Sequence, residues 1–365
     1  MLSPRRDIEK VAPSVHGGMD YGELRRLGIS PEDVIDFSVS VNPFGPPPGI
    51  ESVISRAAID RYPDSESGEV REALGKKLRL SPDQIVIGSG STEIIRLVAA
   101  AFFGPGDTIV IPQPTYGEYE VACRIAGAEV LKLSMNRERG LRLNIPRVKA
   151  LVDKRRPRGL FICNPNNPTG EYLSKESLQV LLAAAPSCLV VVDEAYVAFT
   201  DDSWDSTELI ETGHLIIMRS MTKDFALPGL RLGYALASRE IVSVLNRVKP
   251  PWNVSSVAQA AATFVIENDA YLKACAKRLR ESREFLVNGL VSRGHKPLPS
   301  QANFFLVNVG DAAGFKRALF SKGMIVRDCA SFGLPTYVRM APRTIGECQK
   351  LLAAMDDPEV RSRVG

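Results

Sequence analysis

Short, strongly apolar runs recur along the first two thirds of the chain, each cut off by turn formers. They are Ile85-Val86-Ile87, Thr108-Ile109-Val110-Ile111, Val130-Leu131-Lys132-Leu133, Leu160-Phe161-Ile162-Cys163, Leu189-Val190-Val191-Val192, Leu215-Ile216-Ile217-Met218 and Gly233-Tyr234-Ala235-Leu236. Such runs predict strands buried within a sheet. Stretches of helical character lie before the first of these runs, from about Glu66 to Leu78, and after it, through Ile94 to Val98. Strand and helix alternate from about residue 83 to 236, which predicts an α/β layer with a mostly parallel sheet and helices on both faces. Beyond Pro250-Pro251-Trp252 the texture changes. Leu272, Cys275, Leu279, Leu286 and Leu290 form the stripe of a long amphipathic helix. Short strands around 303–307, 325–326 and 337–340 and a last helix around 345–355 predict a smaller α+β unit. The opening 45 residues are rich in turn formers around a strand-like Val34-Ile35-Asp36-Phe37, and Pro46-Pro47-Pro48 favours a stiff, extended backbone. The expected organisation is an N-terminal arm over 1–45 that joins the small domain and the substrate site, a large domain over 46–250 and a small domain over 251–365.

Candidate chemistry gathers just past the strand ends, where open α/β sheets keep their ligands. Ser220-Met221-Thr222-Lys223 follows the run ending at Met218, and Arg231 comes eight residues later. An amine held there beside Arg231, with Asp224 as its adjacent carboxylate, is suited to Schiff-base formation, while Ser220, Thr222 and Arg231 suit a phosphate. Gly88-Ser89-Gly90-Ser91-Thr92 joins a strand to a helix start, where free N–H groups and the helix dipole face an anion. A plain tight connection is the alternative. Tyr116 is placed to stack on a flat ring or simply to pack on its loop. Asn164-Pro165-Asn166-Asn167-Pro168-Thr169-Gly170 sets polar side chains on the same edge. Asp193 ends an all-apolar strand, where a carboxylate is costly unless a positive group pairs with it. Capping of the next helix is the alternative. On the arm, His16 is a surface residue or a ligand, and Asn42, before Pro43, a turn cap or a ligand.

Composition narrows the classes. The 365 residues are long for one domain, and 45% hydrophobic with 24% charged residues is ordinary for a packed globular chain. A net charge of +4 argues weakly for a polyanion, and Lys154-Arg155-Arg156-Pro157-Arg158 lacks interleaved aromatics, so it reads as a solvated loop with no nucleic-acid partner. Six scattered cysteines without a CxxC pair predict reduced thiols, no disulfides and no metal site. Met1-Leu2-Ser3-Pro4-Arg5-Arg6-Asp7 leads into charged sequence without a signal-peptide core, and no run nears ~20 apolar residues. A soluble, cytoplasmic protein without a membrane partner is expected.

Taken in order, these features resemble the pyridoxal-phosphate (PLP) enzymes of the aspartate aminotransferase fold. The resemblance spans essentially the whole chain, and Ser220 to Tyr234 is similar to the family's lysine signature. It implies a three-layer αβα large domain with a mostly parallel seven-stranded sheet, a smaller α+β domain, PLP as cofactor and a homodimer. Carried onto this chain, it implies that Lys223 holds the cofactor aldehyde and that Ser91, Thr92, Ser220, Thr222 and Arg231 bind its phosphate. Tyr116 would stack on the ring, Asn167 and Tyr196 would hydrogen-bond its phenolic oxygen, and Asp193 would keep its nitrogen protonated. Tyr62 resembles the tyrosine that reaches the phosphate of the neighbouring subunit.

Two branches of the family fit, both acting on amino compounds that carry a phosphate. His16-Gly17-Gly18, Asp36-Phe37-Ser38 leading to Asn42-Pro43, Pro251-Trp252-Asn253-Val254, and Ile325 to Ala330 before Tyr337-Val338-Arg339 resemble the threonine-phosphate decarboxylase of cobalamin biosynthesis. Met19 and the short Cys329–Tyr337 connection depart from that pattern. The expected reaction is decarboxylation of O-phospho-L-threonine to aminopropanol phosphate. Histidinol-phosphate aminotransferase, with 2-oxoglutarate as amino acceptor, is the alternative. The rigid donor fork of arginine suits phosphate, so Arg327 and Arg339, with His16, Gly17, Asn42 and Asn167, are the expected substrate ligands. Lys223 is the expected proton donor to the substrate's Cα. A ligand-sensing module would need a DNA-binding domain, for which the chain leaves no residues.

Overall fold

The computed structural model describes residues 3, 5, 8–136 and 140–363; residues 1, 2, 4, 6 and 7 of the expected arm lie outside the described residues. Strand β1 (Ile35–Asp36) precedes β2 (Ile85–Gly88), β3 (Thr108–Gln113), β4 (Glu129–Ser134), β5 (Gly159–Cys163), β6 (Leu189–Asp193), β7 (Leu215–Ser220) and β8 (Gly233–Ala237). From β2 onward these build one seven-stranded sheet in the order β2-β8-β7-β6-β5-β3-β4. Strand β8 runs antiparallel to β2 and β7, and the other neighbouring pairs are parallel.

The period-two alternation of the strands splits the core into two layers. Ile85, Ile87, Val110, Ile162, Val190, Val192 and Ile217 face one side, under the helices Gly68–Leu78, Ile145–Arg155 and Lys175–Ala184. Val86, Ile109, Ile111, Phe161, Val191, Ile216 and Met218 face the other, under Ser91–Phe102, Glu118–Ile125 and Arg239–Val248. The result is the expected αβα sandwich. The helix Ser256–Ile266 also lays Ala258, Ala261, Ala262 and Val265 into the first layer with Val70 and Leu74, so the large-sheet core extends past residue 250.

The helix Asp269–Val291 buries Cys275, Leu279, Leu286 and Leu290 along the predicted stripe. Beyond it, β9 (Phe305–Asn308), β10 (Met324–Ile325), β11 (Arg327–Cys329) and β12 (Leu334–Met340) follow. Strands β11, β12 and β9 form an antiparallel sheet, while β1 pairs in parallel with β10. Phe37, just after β1, packs in the core of this smaller unit with Leu286, Phe305, Phe315 and Val338. The helix Ile345–Met355 starts from a capping box between Thr344 and Glu347. All six cysteines are free and buried, and among the described residues there is neither a metal-binding cluster nor a helix long and apolar enough to cross a membrane.

Candidate active site

The ends of β5, β6 and β7, the start of helix Ser91–Phe102 and the segment 38–41 surround one cavity of about 350 Å³. Asp193 ends β6, the central strand, and is 3% exposed. Its Oδ2 accepts a 2.7 Å hydrogen bond from the Tyr119 hydroxyl and its Oδ1 accepts one from the Ala195 N–H. Burial pushes the Asp193 carboxyl up, while the Tyr119 hydroxyl and the Lys223 charge pull it down. Lys223 sits on the helical turn Met221–Asp224 directly after β7, with its Nζ 5.0 Å from the centroid of the Tyr196 ring. Burial lowers the lysine's pKa against the opposing charges of Asp193 and Asp224. A buried amine of this kind is a better nucleophile at neutral pH than a solvated one.

The helix Ser91–Phe102 starts without a side-chain cap, after Gly90 at φ +79°. A Cβ on Gly90 would lie 2.8 Å from Arg231 Nη2, and one on Gly233 would lie 2.7 Å from the Ser91 nitrogen. Glycine at both places lets the guanidinium and the helix start approach each other. Ser91, Thr92, Thr222 and Arg231 line the cavity, and Ser220 Oγ shares a 2.7 Å hydrogen bond with Thr222 Oγ1. Uncapped helix N–H groups, hydroxyls and a guanidinium form the donor set that a phosphate requires. Tyr116 also lines the cavity, its hydroxyl 3.4 Å from Thr92 Oγ1. Tyr196 packs edge-on against Phe304 at 4.8 Å, and burial raises its hydroxyl pKa.

Arg327 and Arg339 stand directly opposite each other across β11 and β12, and are 5% and 6% exposed. Like charges in that register repel. Arg327 Nη2 donates to the Val15 carbonyl and to Ser331 Oγ; Arg339 donates to Asn167 Oδ1 and to the Ser38 carbonyl. These partners are neutral oxygens, and Arg339 Nε has no partner. Burial and the Arg339 charge lower the Arg327 pKa. Two buried cations lining a cavity with only neutral hydrogen-bond partners have charge that an anion would compensate.

The arm closes over this wall. His16 lines the cavity 5.8 Å from the Tyr116 ring, its Nε2 3.1 Å from Glu118 Oε1, while Arg96 donates to Glu118 Oε2 at 2.7 Å. A Cβ on Gly17 would come 2.8 Å from the Ser38 carbonyl, so a glycine allows the arm to lie on segment 38–41.

Three expected site residues are absent from the cavity wall: Ser220, which reaches it only through its hydrogen bond to Thr222, and Asn42 and Tyr62, which stand elsewhere. Asn42 is absent from the cavity wall, because its amide donates to the Asp224 carbonyl and accepts from the Phe44 N–H, and its own N–H donates to the Lys223 carbonyl. It clamps the lysine loop. Tyr62 is 76% exposed, outside the cavity, and stacks on Trp252 with ring centroids 4.3 Å apart. Conversely, the cavity uses residues that the sequence reading passed over. Tyr119 lines it, as do Cys163, Ser38 and Ser40, and the buried Ser40 Oγ has no partner. Ser38 and Ser40, in a bent segment leading to Asn42-Pro43, belong to a cluster of turn formers that could have revealed them. For Tyr119 there was no comparable signal.

Residues 32–355 match the family model of class I and II aminotransferases. The chain is 34% identical over 359 residues to the histidinol-phosphate aminotransferase of Moorella thermoacetica, covering 96% of this chain and 92% of the relative. Among solved structures, its fold matches histidinol-phosphate aminotransferase from Sinorhizobium meliloti in complex with pyridoxal-5'-phosphate, at a TM-score of 0.88 and 24% identity over 98% of this chain and 97% of the other. It also matches L-threonine-O-3-phosphate decarboxylase from Porphyromonas gingivalis, at a TM-score of 0.78 and 27% identity over 88% and 98%. The sequence relatives thus favour the aminotransferase alternative over the decarboxylase expected from the arm, the stretch Pro251 to Val254 and the segment around Arg327 and Arg339. With the family's sheet, strand-end lysine and strand-end aspartate all in place, the chain belongs to the class I and II aminotransferases.

Proposed function

We propose that this protein is a PLP-dependent aminotransferase for an amino substrate that carries a phosphate, with histidinol phosphate as the leading candidate and 2-oxoglutarate as acceptor. The observation that carries the phosphate preference is the opposed, buried pair Arg327 and Arg339 in the cavity that also holds Lys223 and Asp193. PLP fits the donor set: its phosphate would be held at the uncapped start of helix Ser91–Phe102 by Ser91, Thr92, Thr222 and Arg231, with Ser220 bonded to Thr222 behind them. Asp193 would pair with its ring nitrogen, Tyr116 would stack on its ring, and Asn167 and Tyr196 would hydrogen-bond its phenolic oxygen. When bound, PLP supplies an aldehyde for the substrate amine and a cationic ring that draws electrons from the bond breaking at Cα. Lys223 Nζ would hold the aldehyde, and it is placed to carry the proton to and from the substrate's Cα. Arg327 with Ser331 and Arg339 with Asn167 hold the phosphate of histidinol phosphate and, in the second half of the reaction, a carboxylate of 2-oxoglutarate, and His16 and Gly17 exclude water from above. Tyr62, exposed beside Trp252, is placed to reach the phosphate site of a second copy in a homodimer. In this reading the arm and the small sheet together close the site over the large one.

A second reading, decarboxylation of O-phospho-L-threonine, is supported by His16 and Gly17 lying beside Arg327 and by the 27% identity to the decarboxylase structure. One experiment separates them. The PLP-loaded protein is given histidinol phosphate with 2-oxoglutarate, and in parallel O-phospho-L-threonine without any keto acid. Glutamate formation in the first mixture is expected. CO₂ released over many turnovers in the second, without glutamate in the first, would replace the aminotransferase by the decarboxylase.

A further inference from the structure

We propose that Tyr119 is a positioning residue for Asp193, fixing the carboxylate that receives the cofactor's ring nitrogen; this rests on the reading of Asp193 given above. The torsion that turns a carboxylate about its own axis is broad, so a buried aspartate needs fixed donors to hold its plane. Asp193 has two, the Ala195 N–H on Oδ1 and the Tyr119 hydroxyl on Oδ2 at 2.7 Å. The first belongs to the backbone of the turn. The second belongs to a side chain with no freedom to move: Tyr119 is fully buried, stacked on Phe161 at 4.9 Å and 14°, and met edge-on by Tyr116 at 5.5 Å and 80°. The same ring therefore supports both the tyrosine that lines the cofactor cavity and the aspartate beneath it.

The chemistry of the donor matters as much as its position. A lysine or arginine at this place would neutralise Asp193 and compete with the ring nitrogen for it. A phenol gives a hydrogen bond without adding a charge, so Asp193 keeps its full negative charge for the cofactor. Burial holds the Tyr119 hydroxyl well above its ordinary pKa, so it stays a donor. The nearest substitute, the Cys163 thiol, is a weak donor already directed at the Pro165 carbonyl.

The test is a double-mutant cycle on Tyr119→Phe and Asp193→Asn, read as the affinity of the apo-protein for PLP and as the pH midpoint of the visible band of the loaded protein. Circular dichroism of each apo-variant checks the fold. Tyr119→Phe is expected to weaken PLP binding about 10-fold or more, the usual effect of losing a hydrogen bond to a charged group, and to move the pH midpoint. In the Asp193→Asn background the same change is expected to have little effect. Wild-type PLP affinity in Tyr119→Phe, or an equal loss in both backgrounds, would overturn the proposal while leaving Asp193 in its role. Unchanged PLP affinity in Asp193→Asn would instead remove the ring-nitrogen reading on which it rests.

Discussion

Burying Arg327 across from Arg339 costs free energy that a bound anion offsets. The geometry of arginine matters here, because a lysine keeps the charge but loses the fork that grips a phosphate from two sides. Arg327→Lys is therefore expected to raise the KM for histidinol phosphate about tenfold or more, while turnover of unphosphorylated histidinol scarcely changes. Equal losses on both substrates would take Arg327 off the phosphate. A second prediction at this scale concerns Asp224, beside Lys223. Burial pushes its carboxyl from 3.8 to about 7, and its Oδ1 has no partner. Between those values the folded protein holds a proton that the unfolded chain has released, so stability contributed at this residue falls as pH rises through the window. Asp224→Asn abolishes that loss. Its apo-protein is expected to melt above wild type at pH 8, with the gap closing towards pH 4. A gap independent of pH would show that Asp224 does not titrate in this range.

At the scale of elements, the segment 36–42 ties the two ends of the site together. It leaves β1, accepts from Arg339 at the Ser38 carbonyl and from Asn303 at the Ser40 carbonyl, and ends with Asn42 on the Lys223 and Asp224 carbonyls. Asn42→Ala removes the side-chain bonds to the Asp224 carbonyl and from the Phe44 N–H. It is expected to cost the apo-protein about 1 to 3 kcal/mol in urea unfolding and to lower kcat several-fold with less effect on KM. Lost stability with unchanged kcat would make the strap structural only. This strap also shows where sequence reading stops. The buried strands of the large sheet were legible because burial on both faces leaves unbroken apolar runs, whereas the edge strand β4 is only partly buried and its run is broken by Lys132. The lysine, aspartate and glycine turns follow the ends of the buried strands directly. Asn42 stood out beside Pro43, but only the fold reveals that its amide is taken up by the backbone of a loop some 180 residues away in sequence. Strand β11 was hidden for a similar reason. Arg327-Asp328-Cys329 has no apolar run, and its extended form depends on pairing with β12. Tyr119 looked like any buried aromatic until Asp193 was placed beside it.

At the scale of the whole molecule, Tyr62 poses the largest question, since it lies 76% exposed and outside the cavity whose phosphate end it is proposed to serve. Its neighbour gives a reason to treat the exposure as functional. Trp252 is held at φ +56°, a backbone region that a bulky side chain enters only under constraint, and it stacks on Tyr62 while remaining 47% exposed itself. Two stacked, exposed aromatics form an apolar patch of the kind that a second copy would cover if the proposed homodimer forms. If Tyr62 serves the partner's site, a chain carrying Tyr62→Phe has an intact Lys223 but impairs its neighbour, and a chain carrying Lys223→Ala has no working site but a competent Tyr62. Each homodimer is then defective at limiting PLP. In hybrids formed by unfolding and refolding the two variants together, one site combines Lys223 from the first chain with Tyr62 from the second, and activity at limiting PLP is expected to return. If Tyr62 acted within its own chain, no hybrid site would carry both residues, and mixing would restore nothing.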